Sequence, residues 1–292
     1  MSNYLTNHRF LKMNGLGNEI VVLDLRGEKH IVTSDEAIAI ANDPRSRFDQ
    51  MMVLHDPVTP GTDAFIRIYN TDGTIAGGCG NGTRCVAWAL MADAEISAGF
   101  QGTKLHLETK MGPLVCERRG DVEFTVDMGV PLFGWQDIPL AHEVTDTLAF
   151  EVPLEGYKFV PAAGVSVGNP HIIFFIDNVA DWDVHKVGPS LEHHPLFPER
   201  ANISFAQLVA PDHFKVVVWE RGAGATRACG TASCAVAVCA YRKGLAGRDV
   251  TVSLPGGDLQ IEWRDNGHMF MTGPVELEWE DHFRPELFAG VR

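Results

Sequence analysis

Long apolar runs, basic residues and cysteines are all scarce in this sequence, and each shortage excludes a class of protein. No apolar run approaches the roughly 18 residues that a membrane-spanning helix requires. The first residues lack the basic stretch followed by an apolar one that marks a secretory signal, so we expect a soluble, cytoplasmic protein. The chain has only 24 Lys and Arg residues but 38 Asp and Glu residues, which gives a formal net charge of −14. This charge argues against nucleic acid and anionic membrane surfaces as partners.

The six cysteines are too few for a disulfide scaffold in a chain of 292 residues, and we expect them to be reduced thiols. No two of them have the CxxC spacing of a zinc site, so we expect no metal. In contrast, 45% of the residues are apolar, which suffices for a sizeable core. The length favours two domains.

Short runs rich in β-branched and aromatic residues, separated by Gly, Pro and Asp, predict strands. These runs cover residues 20–23, 65–69, 105–108, 123–127, 171–176, 215–219, 250–253, 259–263 and 276–281. Ala-rich or capped stretches predict helices over 81–93, 231–243, 35–42 and 182–191, with Ser34 as the N-cap of the third. The pattern therefore indicates mostly sheet with a few helices.

The two halves of the chain repeat the same motifs in the same order. Residues 66–70 align with 216–220 at an offset of 150 residues, and without a gap Cys79 then falls on Cys229. Further matches at offsets of 151 and 152 are Asn18 with Asn169 and Gln50 with Asn202. This ordered set indicates a duplicated domain, with the two halves related by a pseudo-twofold axis.

Cys79 and Cys229 are each followed by a glycine and a predicted helix. The N-terminus of a helix carries partial positive charge, and such placement lowers a cysteine pKa from about 8.5 into roughly the 3.5–7.5 range. Two such thiols, one from each half, could remove and deliver a proton on opposite sides of one carbon and so invert a stereocentre. The backbone N–H groups expected to hold a carboxylate and the developing enediolate charge belong to Gly80, Asn81, Gly230 and Thr231.

Five motifs resemble the diaminopimelate epimerase family and cover nearly the whole chain in the family's order. They are KMNGLGN from Lys12, CGNGTRC from Cys79, VGNPH from Val167, FPERAN from Phe197, and ERGAG from Glu220 leading to ACGT from Ala228. The resemblance implies an α/β (α+β) fold of two pseudo-symmetric halves. Each half is a curved, mostly antiparallel sheet wrapped around a central helix, and the active site lies in the inter-domain cleft. We expect the halves to be 1–128 with a return strand at 274–292, and 129–273.

The resemblance also implies an activity, the interconversion of LL- and meso-2,6-diaminopimelate in lysine and peptidoglycan precursor synthesis. The reaction uses one cysteine thiolate and one thiol, without pyridoxal phosphate, another cofactor or a metal. The implied catalytic residues are Cys79, Cys229, His171 and Glu220. The implied substrate-binding residues are Asn18, Gln50, Asn70, Gly80, Asn81, Asn169, Asn202, Glu220, Arg221, Gly230 and Thr231. The implied partner is the small-molecule substrate, and a homodimer is left open.

The residue types are consistent with the substrate that the resemblance implies, a long molecule with charged groups at both ends. Arg221 offers a forked, bidentate partner for a distal carboxylate, and Glu220 would complement an ammonium group. Neutral amides add directional hydrogen bonds without adding charge. The chain departs from the family pattern at Ala225, at Ser233 and in the loop 74–78, which bears on substrate range rather than on reaction type.

Three other interpretations are kept open at this point. A proline racemase or hydroxyproline epimerase uses the same two-cysteine scheme, but Asn81, rather than His, follows the first Cys-Gly pair here. A thiol redox sensor would join Cys79 to Cys229 in a disulfide. A non-enzymatic binding module would not need both cysteines beside the full set of polar positions.

Overall fold

The computed structural model describes residues 3–153 and 160–291. It divides into two compact units, an N-terminal unit of Met1–Val126 with Gly273–Arg292 and a C-terminal unit of Asp127–Thr272. Within the described residues, no helix is long and apolar enough to cross a membrane.

Seventeen strands and four α-helices are formed by the described residues. The strands are β1 (Arg9–Asn14), β2 (Glu19–Asp24), β3 (Gln50–His55), β4 (Ala64–Asn70), β5 (Ile75–Ala76), β6 (Lys104–Thr109), β7 (Gly112–Arg118), β8 (Glu123–Asp127), β9 (Ala162–Ser166), β10 (Pro170–Phe175), β11 (Asn202–Ala210), β12 (His213–Glu220), β13 (Gly224–Ala225), β14 (Asp249–Leu254), β15 (Gly257–Trp263), β16 (Met269–Pro274) and β17 (Glu276–His282). The helices are α1 (Ser34–Asn42), α2 (Gly80–Ala92), α3 (Val184–Glu192) and α4 (Gly230–Arg242), with 3₁₀ turns at Val179–Asp181 and Pro285–Phe288.

The sheet of the N-terminal unit brings the polar ends of three strands to one edge. β2 pairs in parallel with β3, with Ile20 opposite Gln50, and β3 pairs antiparallel with β4, with Gln50 opposite Asn70. β4 continues in parallel to β6, which is followed by β7 and β8 in antiparallel order. On the other side, β1 lies antiparallel between β2 and the late strand β17.

The C-terminal unit repeats this connectivity strand for strand. β9 and β10 are antiparallel, β10 and β11 are parallel with His171 opposite Asn202, and β11 and β12 are antiparallel. β12 then pairs in parallel with β14, followed by β15 and β16 in antiparallel order. Helices α1 and α3 are offset by 150 residues at both ends, as are α2 and α4. The predicted duplication and fold class are confirmed.

Each sheet wraps around one helix, α2 in the N-terminal unit and α4 in the C-terminal unit. Helix α2 packs on β2, β3 and β7, and α4 packs on β9, β10, β11, β14 and β15. Ten of the thirteen residues are buried in each helix, and in α4 most of these are the small residues Gly, Ala, Ser and Cys. A helix that is buried all round in this way is the centre of its unit.

Helices α1 and α3 cover the opposite faces of the two sheets, so the strands between the layers are buried on both sides. In the N-terminal unit, Ile40 of α1 shares a core cluster with Val21 and Val53. The N-cap of α1 is Thr33, so the prediction of Ser34 is wrong. Thr33 forms a capping box with Glu36, and its hydroxyl accepts the N–H of Glu36 at 3.2 Å.

Candidate active site

Cys79 is the N-cap residue of α2 and has an extended backbone, with φ −152° and ψ 103°. This conformation turns its side chain back over the first turn, where Sγ accepts the backbone N–H of Gly82 at 3.2 Å. The thiol is half-buried, and Sγ lies 3.8 Å from Oδ1 of Asn18. The sulfur therefore lies among the free N–H donors of a helix N-terminus, which stabilise negative charge.

Asn18 follows a tight turn that requires a left-handed backbone, with φ of 67° at Leu16 and 88° at Gly17. The turn places Gly15 so close to α2 that an added Cβ would lie 3.1 Å from Cβ of Asn81. Nδ2 of Asn18 donates to Oδ2 of Asp49 at 2.9 Å. This hydrogen bond leaves the amide oxygen of Asn18 directed at the thiol.

Gln50 and Asn70 meet at the sheet edge that the register predicts. Nε2 of Gln50 donates to Oδ1 of Asn70 at 3.4 Å, and Nδ2 of Asn70 donates to Oγ1 of Thr74 at 3.0 Å. Both residues are half-buried and keep hydrogen-bonding capacity toward solvent. The two side chains form a hydrogen-bonded pair of neutral amides on the neighbouring strands β3 and β4.

Gly80 and Asn81 are the first two residues of α2, beside Cys79. Asn81 is only 4% exposed. Its Oδ1 is buried and finds no hydrogen-bond partner among the described residues. A buried polar atom of this kind beside free helix N–H groups is typical of a site that a polar ligand completes.

Cys229 occupies the same position at the N-terminus of α4 but has a different environment. It is 4% exposed, its Sγ lies 3.4 Å from Oγ1 of Thr231, and its side chain makes no capping hydrogen bond. Burial and the neighbouring Glu220 carboxylate raise the pKa of the Cys229 thiol well above its ordinary value, although Thr231 and the N–H of Ala232 oppose the shift. The expectation of a lowered pKa at this helix N-terminus is therefore wrong for Cys229. Desolvation and a like charge outweigh the helix dipole.

Glu220 and Arg221 lie at the end of β12, where the chain turns into β13. Oε1 of Glu220 accepts the hydroxyl of Thr226 at 2.5 Å. The backbone N–H of Arg221 donates to Oδ1 of Asn202 at 2.9 Å, and its Nη1 donates to the carbonyl of Glu199 at 3.2 Å. Arg221 is exposed, so most of its guanidinium is available to an anion from solvent.

His171 and Asn202 are neighbours across β10 and β11 and are both buried. Nε2 of His171 donates to Oδ1 of Asn169 at 2.9 Å, while burial and the charge of Arg221 lower the pKa of His171 to about 3. The ring is therefore neutral near pH 7. Asn202 uses both ends of its amide inside the protein, because Nδ2 also donates to the carbonyl of Pro170 at 2.9 Å. In contrast, Nδ1 of His171 is buried and has no hydrogen-bond partner among the described residues, so it is open to a polar group of a ligand.

The structure thus collects the expected residues into two sets, one in each unit. The set of the N-terminal unit is Asn18, Gln50, Asn70, Cys79, Gly80 and Asn81, and that of the C-terminal unit is Asn169, His171, Asn202, Glu220, Arg221, Cys229, Gly230 and Thr231. Reasoning from the sequence missed Asp49 and Thr226, which orient Asn18 and Glu220. Asp49 adjoins Gln50, the one local signal that could have identified it. Among the described residues, no group of three or more metal-ligating side chains occurs.

Comparisons with known proteins identify a family with similar sequences and solved structures with a similar fold. The family model for diaminopimelate epimerase matches residues 10–133 and 164–278. The diaminopimelate epimerase of Methylobacterium sp. (strain 4-46) is 58% identical over 291 residues, which are 98% of this chain and 99% of the relative. That of Bradyrhizobium sp. (strain ORS 278) is 52% identical over 293 residues, with 98% and 99% coverage.

Two solved structures share the fold at low sequence identity. A phenazine biosynthesis protein of the PhzF family from Bacillus anthracis has a TM-score of 0.67 at 16% identity, covering 95% of this chain and 99% of its own. A hydroxyproline epimerase from Agrobacterium vitis, solved with bound trans-4-hydroxy-L-proline, has a TM-score of 0.65 at 16% identity, covering 94% and 90%. At this identity, the likeness concerns the fold alone.

Proposed function

Since the chain belongs to the diaminopimelate epimerase family, we propose that it interconverts LL- and meso-2,6-diaminopimelate with Cys79 and Cys229 as the acid–base pair. The activity is that of an isomerase of the amino-acid racemase and epimerase class, and it belongs to lysine biosynthesis. One observation supports the pair above all: the repeat gives each unit a cysteine as the N-cap of its central helix.

The proton transfer needs one thiolate and one thiol. For one isomer, the Cys79 thiolate removes the α-proton, and the electron pair of the C–H bond passes into the carboxylate as an enediolate. The Cys229 thiol then delivers its proton to the opposite face of the same carbon. The products are the inverted centre, a Cys79 thiol and a Cys229 thiolate, and the other isomer is converted by the reverse sequence. No cofactor takes part in this scheme.

Glu220 links substrate binding to the ionisation of Cys229. In the free protein, its carboxylate raises the pKa of the Cys229 thiol by repulsion. An ammonium group held by Glu220 would cancel that repulsion and allow Cys229 to ionise once the substrate is bound. The N–H groups of Gly80, Asn81, Gly230 and Thr231 would stabilise the charge that develops on the reacting carboxylate.

We assign recognition of the distal end to Arg221 and the surrounding amides. The guanidinium of Arg221 would bind the distal carboxylate, and Asn18, Gln50, Asn70 and Asn169 would supply hydrogen bonds. A substrate without the distal groups would leave these polar atoms unpaired, which is a large penalty for a wrong ligand. His171 acts as a neutral positioning residue that holds Asn169.

The test is proton NMR of LL-diaminopimelate in deuterated buffer with reductant and no added cofactor. We expect the α-proton signal to disappear while the meso isomer forms, and we expect Cys79→Ala and Cys229→Ala each to abolish epimerisation. Cys85→Ala, which removes a buried thiol elsewhere in α2, serves as the control and should remain active. Exchange of proline or hydroxyproline instead would assign the chain to the neighbouring racemases, and full activity of Cys79→Ala would end the two-thiol mechanism.

The proposed activity also bears on the cellular location of the protein and on its oligomeric state. We place the enzyme in the cytoplasm, where a biosynthetic enzyme meets its substrate, and cell fractionation tests this. The homodimer left open by the resemblance is tested by size-exclusion chromatography with light scattering. Each structural unit is assigned as one epimerase half.

A further inference from the structure

Both residues that flank the Glu220–Arg221 pair are tied to one buried carboxylate. The indole Nε1 of Trp219 donates to Oε2 of Glu192 at 2.7 Å, and the backbone N–H of Gly222 donates to Oε1 at 2.9 Å. Glu192 is the last residue of α3 and is 4% exposed. One side chain therefore holds the chain immediately before and immediately after the proposed recognition pair.

A second contact packs the Trp219 side chain directly against α3. An added Cβ at Gly188, one helical turn before Glu192, would lie 2.5 Å from Cγ of Trp219. The absence of a side chain at Gly188 therefore lets the indole lie directly on the helix. Packing and the hydrogen bond to Glu192 together fix the orientation of Trp219.

The carboxylate of Glu192 is ionised and remains so although it is buried. Burial disfavours the charge, but the hydrogen bonds from Trp219 and Gly222 and the nearby charges of His193 and Arg200 lower the pKa of Glu192 below its ordinary value. Nη1 of Arg200 lies 3.3 Å from Oε1. Hydrogen bonds to an ionised acceptor are the stronger kind, so the tether is firm.

We propose that Glu192 is a positioning residue for substrate recognition, which sets the direction of the Arg221 guanidinium by fixing the backbone on both sides of Glu220–Arg221. The backbone N–H of Arg221 is held separately by Asn202, so the chain is anchored at three residues, Trp219 in β12 and Arg221 and Gly222 directly after it. This inference rests on the proposed function only in assigning a distal carboxylate to Arg221. The anchoring itself is independent of the substrate.

Hydrogen exchange tests the anchoring without reference to activity. Glu192→Gln keeps the size of the side chain but replaces one acceptor oxygen by a donor, so one of the two tethers is lost. We expect faster amide exchange over residues 220–226 in Glu192→Gln than in the wild type. The matched control is Glu36→Gln, which removes a buried carboxylate with three hydrogen bonds in the N-terminal unit and should leave that segment unchanged. Unchanged exchange in Glu192→Gln would overturn the proposal.

Kinetics test whether the anchoring acts through Arg221. In Glu192→Gln we expect KM for diaminopimelate to rise about tenfold while kcat changes far less, because a charge-assisted tether is lost but the thiols are untouched. Adding Glu192→Gln to Arg221→Ala should raise KM no further than Arg221→Ala alone. Additive effects of the two substitutions would contradict the assignment. If the wild type fails to exchange diaminopimelate, the proposed function fails, and the exchange rates at 220–226 still decide the role of Glu192.

Discussion

The contrast between the two cysteines gives the sharpest prediction, which concerns Glu220→Gln. In the free protein, burial and the neighbouring Glu220 carboxylate both raise the pKa of the Cys229 thiol. Glutamine keeps the size and the hydrogen bond to Thr226 but removes the charge. The substitution therefore isolates the electrostatic part of the shift and leaves the burial of Cys229 in place.

The magnitude follows from the contact between the two side chains. Two unit charges about 4 Å apart repel by about 4 kcal/mol at an effective dielectric constant of 20. At about 1.4 kcal/mol per factor of ten, this repulsion corresponds to an increase in thiolate of up to roughly 1,000-fold below the pKa. Because the nucleophilicity of each thiolate falls as its pKa falls, with a Brønsted slope of about 0.4–0.5, the expected gain in reactivity is roughly 30- to 60-fold.

The assay is the rate at which iodoacetamide modifies Cys229 between pH 6 and pH 10, followed by mass spectrometry of its peptide. Cys79→Ala is present throughout so that only one active-site thiol reacts. Glu262→Gln, which neutralises a carboxylate paired with Arg264 in the same unit, is the control and should not change the rate. If the profile of Glu220→Gln coincides with that of its parent, Glu220 does not hold Cys229 in its thiol form.

Three further predictions concern packing, orientation and pH. Gly188→Ala should destabilise the fold by about 1–3 kcal/mol in urea unfolding, because its Cβ would lie 2.5 Å from an indole ring, whereas Gly120→Ala, with 3.7 Å to its nearest neighbour, should cost much less. Asp49→Ala should free the Asn18 amide to rotate and should raise alkylation of the neighbouring thiol about fivefold, with an unchanged rate refuting the role of Asp49. The pKa of His171, about 3 in the fold, is below that of an unfolded histidine, so protonation favours unfolding as the pH falls from 6.5 toward 3. His171→Gln should therefore lose about 1.4 kcal/mol less stability per pH unit than the wild type, measured by urea midpoints at pH 6 and pH 5.

The helices and the repeat could be predicted from the sequence, because the helices follow from local composition and the repeat from short motifs that recur in order. The predicted spans 81–93 and 231–243 differ from α2 and α4 by one residue at each end. Eight of the seventeen strands were not predicted. One of them is β9, whose sequence AAGVS has little β-branched or aromatic content and which is stabilised by its pairing with β10. The correct cap of α1 was signalled by Glu36 three residues after Thr33, a capping-box spacing that Ser34 does not have.

The positions of the candidate site could be predicted, but their electrostatics could not. Nothing in the two Cys-Gly motifs distinguishes Cys79 from Cys229. Burial to 4% exposure and the approach of Glu220 give Cys229 its raised pKa, and both arise from tertiary structure. Glu192 precedes Trp219 by 27 residues and occupies the end of a different element, so no sequence spacing connects them.

The repeat also explains how one duplicated framework supplies two thiols of different character. Asn70 and Glu220 occupy equivalent positions, at the ends of β4 and β12 and at an offset of 150 residues, and each hydrogen-bonds to a nearby threonine, Thr74 before β5 and Thr226 after β13. The N-terminal unit thus has a neutral amide where the C-terminal unit has a carboxylate. Two identical halves would give their cysteines the same ionisation, whereas a two-base inversion requires one thiolate and one thiol at the start. The deeper burial of Cys229 and the charge difference at this repeated position therefore distinguish the two thiols within a symmetric fold.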